Sequence, residues 1–301
     1  MDWVLASFAG SFLIAVVSIF DKRILMAHVP GVPGFLVLIG VIWVTIGALI
    51  LLAMPWQAGT SGIAVAWAVV SGLCQGVGLL LMLTALRRLE VSRVVAAYHT
   101  YPVFVAIMAI IFLGERLSVL HWIAIVLVVA GGGLVMVGQK RGTAGSGNRM
   151  AITFVFLASA ATALGMLTSK VALNEMDFCN VLGLRSVFLG AVFLLPGLTP
   201  QGLRQVKVIL GNRTAVLLIL LAEAMIAPVA MYSMLLALSL GSAALVTTLL
   251  STQPVFVLLI SALLSTRYWN VMQEPLTREA LGLKGVSIAM VVGGAAVLTL
   301  A

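Results

Sequence analysis

Charge is what this chain has least of. Only 9 % of its 301 residues are Asp, Glu, Lys or Arg, and nine of them are acidic. A soluble domain carries about 25 % charged residues, so this sequence cannot cover a water-facing surface. Cysteine is nearly absent as well. Cys74 and Cys179 lie in or at the edge of apolar runs, which leaves no disulfide framework and assigns both thiols to packing. The three histidines, His28, His99 and His121, are scattered without ligand spacing to Cys, Asp or Glu, so no metal site is expected. No Gly-x-x-x-x-Gly-Lys-Ser/Thr occurs, which argues against ATP hydrolysis, and no cofactor is implied. No polar insertion is long enough for a separate catalytic domain, and no enzyme is expected.

What is abundant is hydrocarbon. Apolar residues make up 62 % of the chain. About twenty consecutive apolar residues span a bilayer. Such runs occur at 3–20, 34–53, 63–86, 91–113 and 120–138, and again at 151–171, 178–198, 215–238, 243–264 and 281–300. The expected fold is an all-α polytopic membrane protein of ten transmembrane helices. A polar Gly/Lys/Arg/Ser linker at 139–149 divides a first five-helix repeat, 1–138, from a second, 150–301. The opening Met1-Asp2-Trp3 has no basic n-region and no small-x-small site follows, so the first run reads as a retained helix.

The net charge of +8 invites a nucleic-acid partner, but the basic residues sit in short loops between apolar runs. There they set orientation instead. Fourteen fall on one side: Lys22, Arg23, Arg87, Arg88, Arg93, Lys140, Arg141, Arg149, Arg204, Lys207, Arg213, Arg267, Arg278 and Lys284. Only Arg116 and Lys170 fall on the other. That bias places both termini outside, in a chain whose partners are the bilayer and a small molecule, as a monomer or homodimer.

The two halves repeat one another. Thr100-Tyr101-Pro102-Val103-Phe104-Val105 matches Thr252-Gln253-Pro254-Val255-Phe256-Val257 at a shift of 152 residues. Lys22 and Lys170 close the first run of each half. An odd number of helices per repeat forces the second copy to enter from the opposite face, giving inverted repeats. Each copy places a proline midway along an apolar run, a candidate hinge at Pro102 and Pro254.

Ala85-Leu86-Arg87-Arg88-Leu89, together with Pro102-Val103-Phe104-Val105 through Leu113-Gly114-Glu115-Arg116-Leu117-Ser118, resembles the drug/metabolite transporter superfamily in its EamA-like branch. The second half departs from it at Ser265-Thr266-Arg267-Tyr268. The resemblance implies secondary transport of a small metabolite or drug-like compound, often export. It also implies cytoplasmic termini, against the charge count. A translocator of lipid-linked or amphiphilic substrates is the alternative, and an intramembrane enzyme the more distant one.

Ionisable groups within a span cost about 2.5 kcal/mol or more and need a reason. Glu223 either takes up a proton or faces a cationic group, or else forms a structural pair with Arg185. Tyr98, His99 and Tyr101 before Pro102, and Ser251, Thr252 and Gln253 before Pro254, form two polar patches at equivalent places that would line one substrate cavity. Gln75 among Gly72, Gly76 and Gly78, Trp43 near mid-helix, and Tyr232 beyond Pro228 are further candidates for substrate contact. Asp21 and Lys22 read as anchors at the membrane interface, with a gate pair as the alternative.

Overall fold

A computed structural model describes residues 2–56, 59–86, 98–137, 148–264 and 278–300. All of its regular structure is helical. Helices are the one open element that satisfies every backbone N–H and C=O inside lipid. The first half contributes α1 (Asp2–Ala27), α2 (Val32–Ala53), α3 (Gly62–Leu86), α4 (Tyr101–Leu113) and α5 (Val119–Val137). The second contributes α6 (Asn148–Glu175), α7 (Phe178–Gly197), α8 (Pro200–Leu210), α9 (Arg213–Leu240), α10 (Ala243–Leu250), α11 (Gln253–Leu264) and α12 (Arg278–Leu300). Six of these are long and apolar enough to cross a membrane unaided, namely α1, α2, α3, α6, α7 and α9. The remaining spans are built from shorter apolar pieces. Leu52, Ile111, Phe112, Leu195 and Leu217 stand on the outside of the bundle, an apolar surface suited to lipid.

Packing follows a two-fold exchange of the halves. The α3–α6 contact is repeated as α9–α1, and α4–α6 as α11–α1, while α2–α7 and α5–α12 map onto themselves. At the α2–α7 crossing, a Cβ on Gly40 would lie 2.9 Å from the Gly190 carbonyl oxygen. One on Gly47 would lie 2.6 Å from that of Gly183. Both pairs map onto each other at a shift of 143 residues, so the axis passes between them. Glycine is needed here because the backbones touch. The motif threonines repeat the same symmetry. Thr100 Oγ1 lies 3.2 Å from Ser159 Oγ, and Thr252 Oγ1 lies 3.0 Å from Ser11 Oγ. Each half hydrogen-bonds the first helix of the other. The chain is a polytopic membrane protein of two inverted five-helix repeats.

Four expectations need correction. The first helix runs to Ala27, seven residues beyond its expected end, so Asp21 and Lys22 lie within it. The fourth and ninth spans are broken, not continuous. The chain turns at His99-Thr100 before α4 and at Ser251-Thr252 between α10 and α11. Pro102 and Pro254 are each the second residue of a new helix, where a missing N–H costs nothing. Each turn falls on a short polar patch inside a longer apolar run, and the length of the run concealed it. An additional helix, α8, links α7 to α9 and exposes Leu203, Val208 and Leu210. Finally, α9 carries a π-helical turn over Leu220–Ile226, with the Ala227 N–H donating to the Ala222 carbonyl. Pro228 cannot donate, and the wider turn absorbs the lost bond. The resemblance segment 87–89, the linker 139–147 and 265–268 lie outside the described residues.

Candidate functional site

Two polar clusters sit inside the bundle, and the two-fold relates them. The first gathers around Arg185 on α7, a side chain with no solvent exposure. One terminal nitrogen, Nη1, donates to the Gly165 carbonyl at 3.2 Å and to Ser169 Oγ on α6. The other, Nη2, donates to Gln75 Oε1 on α3 at 3.1 Å. Tyr98 lies beside Gln75 and Arg185, with its hydroxyl 3.0 Å from Thr162 Oγ1. Next to it His99 packs between the rings of Tyr98 and Tyr101, at 5.7 and 6.2 Å between centroids. The histidine is buried and its Nδ1 has no hydrogen-bond partner among the described residues.

The glycines around Gln75 explain how an amide reaches an arginine here. A Cβ on Gly72 would lie 2.5 Å from the Arg185 carbonyl oxygen, and one on Gly76 would lie 2.8 Å from Val192 Cβ. Both let α3 close against α7. The small residues create the close contact, and Gln75 joins two helices across it.

The second cluster gathers around Glu223, placed by the π-helical turn of α9 and buried. Trp43 Nε1 on α2 donates to Glu223 Oε2 at 3.3 Å. Asp21 on α1 faces Glu223 within side-chain hydrogen-bonding reach, and its Oδ1 is buried without a partner. Two carboxyls can hydrogen-bond each other only if one carries a proton, since an ionised carboxylate accepts and does not donate. Glu223 is therefore not paired with Arg185, as the sequence left open. Nor is it the sole carboxylate deep in a span, because the longer α1 carries Asp21 inward. Trp43 is bonded to that carboxylate and buried, so it is more than bulk packing.

The other expected residues are distributed unequally. Tyr101 Oη donates to the Thr247 carbonyl at 3.4 Å, joining the first motif to α10. Gln253 Nε2 donates to Ser18 Oγ at 2.9 Å. Ser251 Oγ donates to the Thr248 carbonyl, and Thr252 Oγ1 to that of Leu249, both at 2.7 Å. The hydroxyls of the second motif are thus bound within the protein. Tyr232 stands 47 % exposed on the outside of α9, its ring 5.1 Å from that of Phe178, and joins neither cluster.

One face of the bundle is tied by two charged side chains, Glu115 and Lys170. Gly114, at φ 66°, ends α4 in the left-handed conformation that glycine adopts without strain. The chain then delivers Glu115 to the start of α10. Its carboxylate accepts from Ser242 Oγ at 2.6 Å and from the Ala243 N–H at 2.8 Å. On the same face Lys170 Nζ donates to the carbonyls of Leu238 at 2.7 Å and Gly241 at 2.9 Å, closing the end of α9. An anion at a helix start and a cation at a helix end both complement the helix dipole.

Asp21, read from the sequence as an anchor or gate residue at the end of the first helix, joins the second cluster instead, and a signal for it existed. The shift of 148 residues that matches Lys22 to Lys170 also matches Asp21 to Ser169 and Gln75 to Glu223. Among the described residues no group of three His, Cys, Asp or Glu could hold a metal ion.

A solved crystal structure superposes on 99 % of this chain and 97 % of its own length with a TM-score of 0.72, at 16 % identity. That likeness supports the fold alone. No curated protein matches the sequence. The model of the EamA-like transporter family matches residues 1–137 and 149–273. With inverted repeats, apolar spans and buried polar clusters all in place, the chain belongs to the EamA-like transporter family, a membrane transporter of the drug/metabolite type.

Proposed function

We propose that this protein is a secondary transporter that moves a small metabolite or drug-like compound by alternating access, with a proton as the coupling ion. The observation that carries the coupling is the Asp21–Glu223 carboxyl pair, held on α1 and α9 and capped by Trp43. Buried carboxyls in a span commonly serve as proton relays. A pair that shares one proton can bind and release it as the surrounding helices separate. The tie formed by Glu115 and Lys170 supports a state closed on one face, and access from that face requires it to break.

Purified protein in liposomes with an imposed pH gradient tests this reading. Uptake or release of a transported compound should follow the gradient, and Glu223→Gln should remove that dependence while leaving counterflow without a gradient. Flux indifferent to the gradient in the unaltered protein would refute proton coupling.

The orientation we favour places both termini outside, on the distribution of Lys and Arg among the loops. A reporter fused after Ala301 that works only in the cytoplasm should stay silent. Activity there overturns the assignment.

A further inference from the structure

The pseudo-symmetry builds one pair of polar positions twice, filling it with carboxyls in one cluster and with neutral groups that hold an arginine in the other. At the single shift of 148 residues, Gln75 and Ser169 of the first cluster correspond to Glu223 and Asp21 of the second. Where the second cluster has two carboxyls, the first has an amide and a hydroxyl, and both bind the Arg185 guanidinium. A guanidinium keeps its proton at any physiological pH, so the first cluster carries a fixed positive charge. Every acceptor around it in the structure is neutral, and no carboxylate lies within ion-pair distance among the described residues. Its Nε has no partner, although the side chain is fully buried. The His99 ring beside Tyr98 likewise leaves Nδ1 unpartnered. A buried charge without a counter-ion is among the least favourable arrangements in a protein interior.

We infer that the Arg185 cluster, with Gln75 and Tyr98, binds the carboxylate of an organic anion that this transporter carries. The guanidinium fork suits a planar carboxylate, and the Tyr98 hydroxyl and Gln75 amide lie beside it as further donors. The anion supplies the counter-charge that the protein withholds. This assignment rests on the transporter reading, and it names the substrate class. The acidic cluster on the other side of the two-fold is left to the proton.

The test uses detergent-solubilised protein without any gradient, so its outcome is independent of proton coupling. Thermal unfolding is followed with benzoate, with benzylamine and with benzamide, each against chloride at equal ionic strength. Benzoate should raise the midpoint by several degrees, and the amine and the amide should not. Gln75→Glu places a permanent carboxylate 3.1 Å from Nη2. It should raise the midpoint of the ligand-free protein and abolish the benzoate response. Tyr98→Phe should leave the fold intact and weaken the benzoate response several-fold. Three results overturn the inference: a lower midpoint for Gln75→Glu, stabilisation by benzylamine equal to that by benzoate, or no response to the carboxylate at all. Loss of gradient-driven flux in Glu223→Gln with the benzoate response intact supports both assignments separately.

Discussion

Trp43 illustrates how much one side chain decides inside lipid. Its indole N–H satisfies Glu223 Oε2, an acceptor buried inside the bundle. Trp43→Phe keeps the ring and deletes the donor. Leaving a buried acceptor short of a partner costs about 1–3 kcal/mol. The expected result is a lower thermal midpoint in detergent, together with an altered pH dependence of flux. An unchanged midpoint and pH profile would remove Trp43 from the coupling site. Glu115 offers the same kind of measurement on the closed face. Glu115→Gln removes the charge that meets the start of α10 and should destabilise by about 1 kcal/mol, read again as the thermal midpoint. If the tie must break for transport, the same variant should turn over faster than the unaltered protein. A slower variant would assign Glu115 to folding alone.

At the level of elements, the broken spans change what the prolines do. Removing a proline from a helix interior recovers about 3 kcal/mol. Pro102 and Pro254 stand at helix starts, so Pro102→Ala and Pro254→Ala should each change stability by less than about 1 kcal/mol. A gain near the larger figure would mean that the spans are continuous after all. The glycines of α2 have the opposite sensitivity. A methyl group on Gly47 would meet the Gly183 carbonyl oxygen at 2.6 Å, and α2 has no room to retreat without leaving α7. Gly47→Val should cost about 1–3 kcal/mol or prevent folding, seen as loss of a monodisperse peak on size exclusion.

For the whole molecule, the two-fold predicts paired behaviour. Thr100 with Ser159 and Thr252 with Ser11 are equivalent contacts between the halves. Cysteines at either pair should therefore cross-link under mild oxidation, since the side-chain ends already touch at 3.2 and 3.0 Å. Either bridge ties a motif of one half to the first helix of the other and should stop flux, which reduction restores. Cross-linking at one pair only would mean that the halves differ in mobility at this level. Flux that continues through both bridges would exclude relative motion at these contacts.

The amino-acid sequence by itself determined the solvent this protein lives in and the number of times the chain crosses it. Composition and apolar run length are summed over twenty residues, and so many residues outvote any local ambiguity. The repeat was equally legible, because Thr-x-Pro-Val-Phe-Val recurs at a fixed shift and an odd helix count forces inversion. Only the tertiary structure decided which buried groups meet. The turns at His99-Thr100 and Ser251-Thr252 fall on the two polar patches, but each patch is only a few residues long and a twenty-residue apolar run averages over it. Arg185 lies closer to Asp177 and Glu175 in the chain than to Gln75, yet its bonds go to Gln75 and Ser169. Glu223 binds Trp43 and not Arg185, the buried arginine that the sequence left open as its partner. Partner choice in a helical bundle is fixed by which faces pack, and here glycine contacts between α2 and α7, and between α3 and α7, set those faces. The result is one polar cluster built twice, around an arginine on one side of the two-fold and around a carboxyl pair on the other.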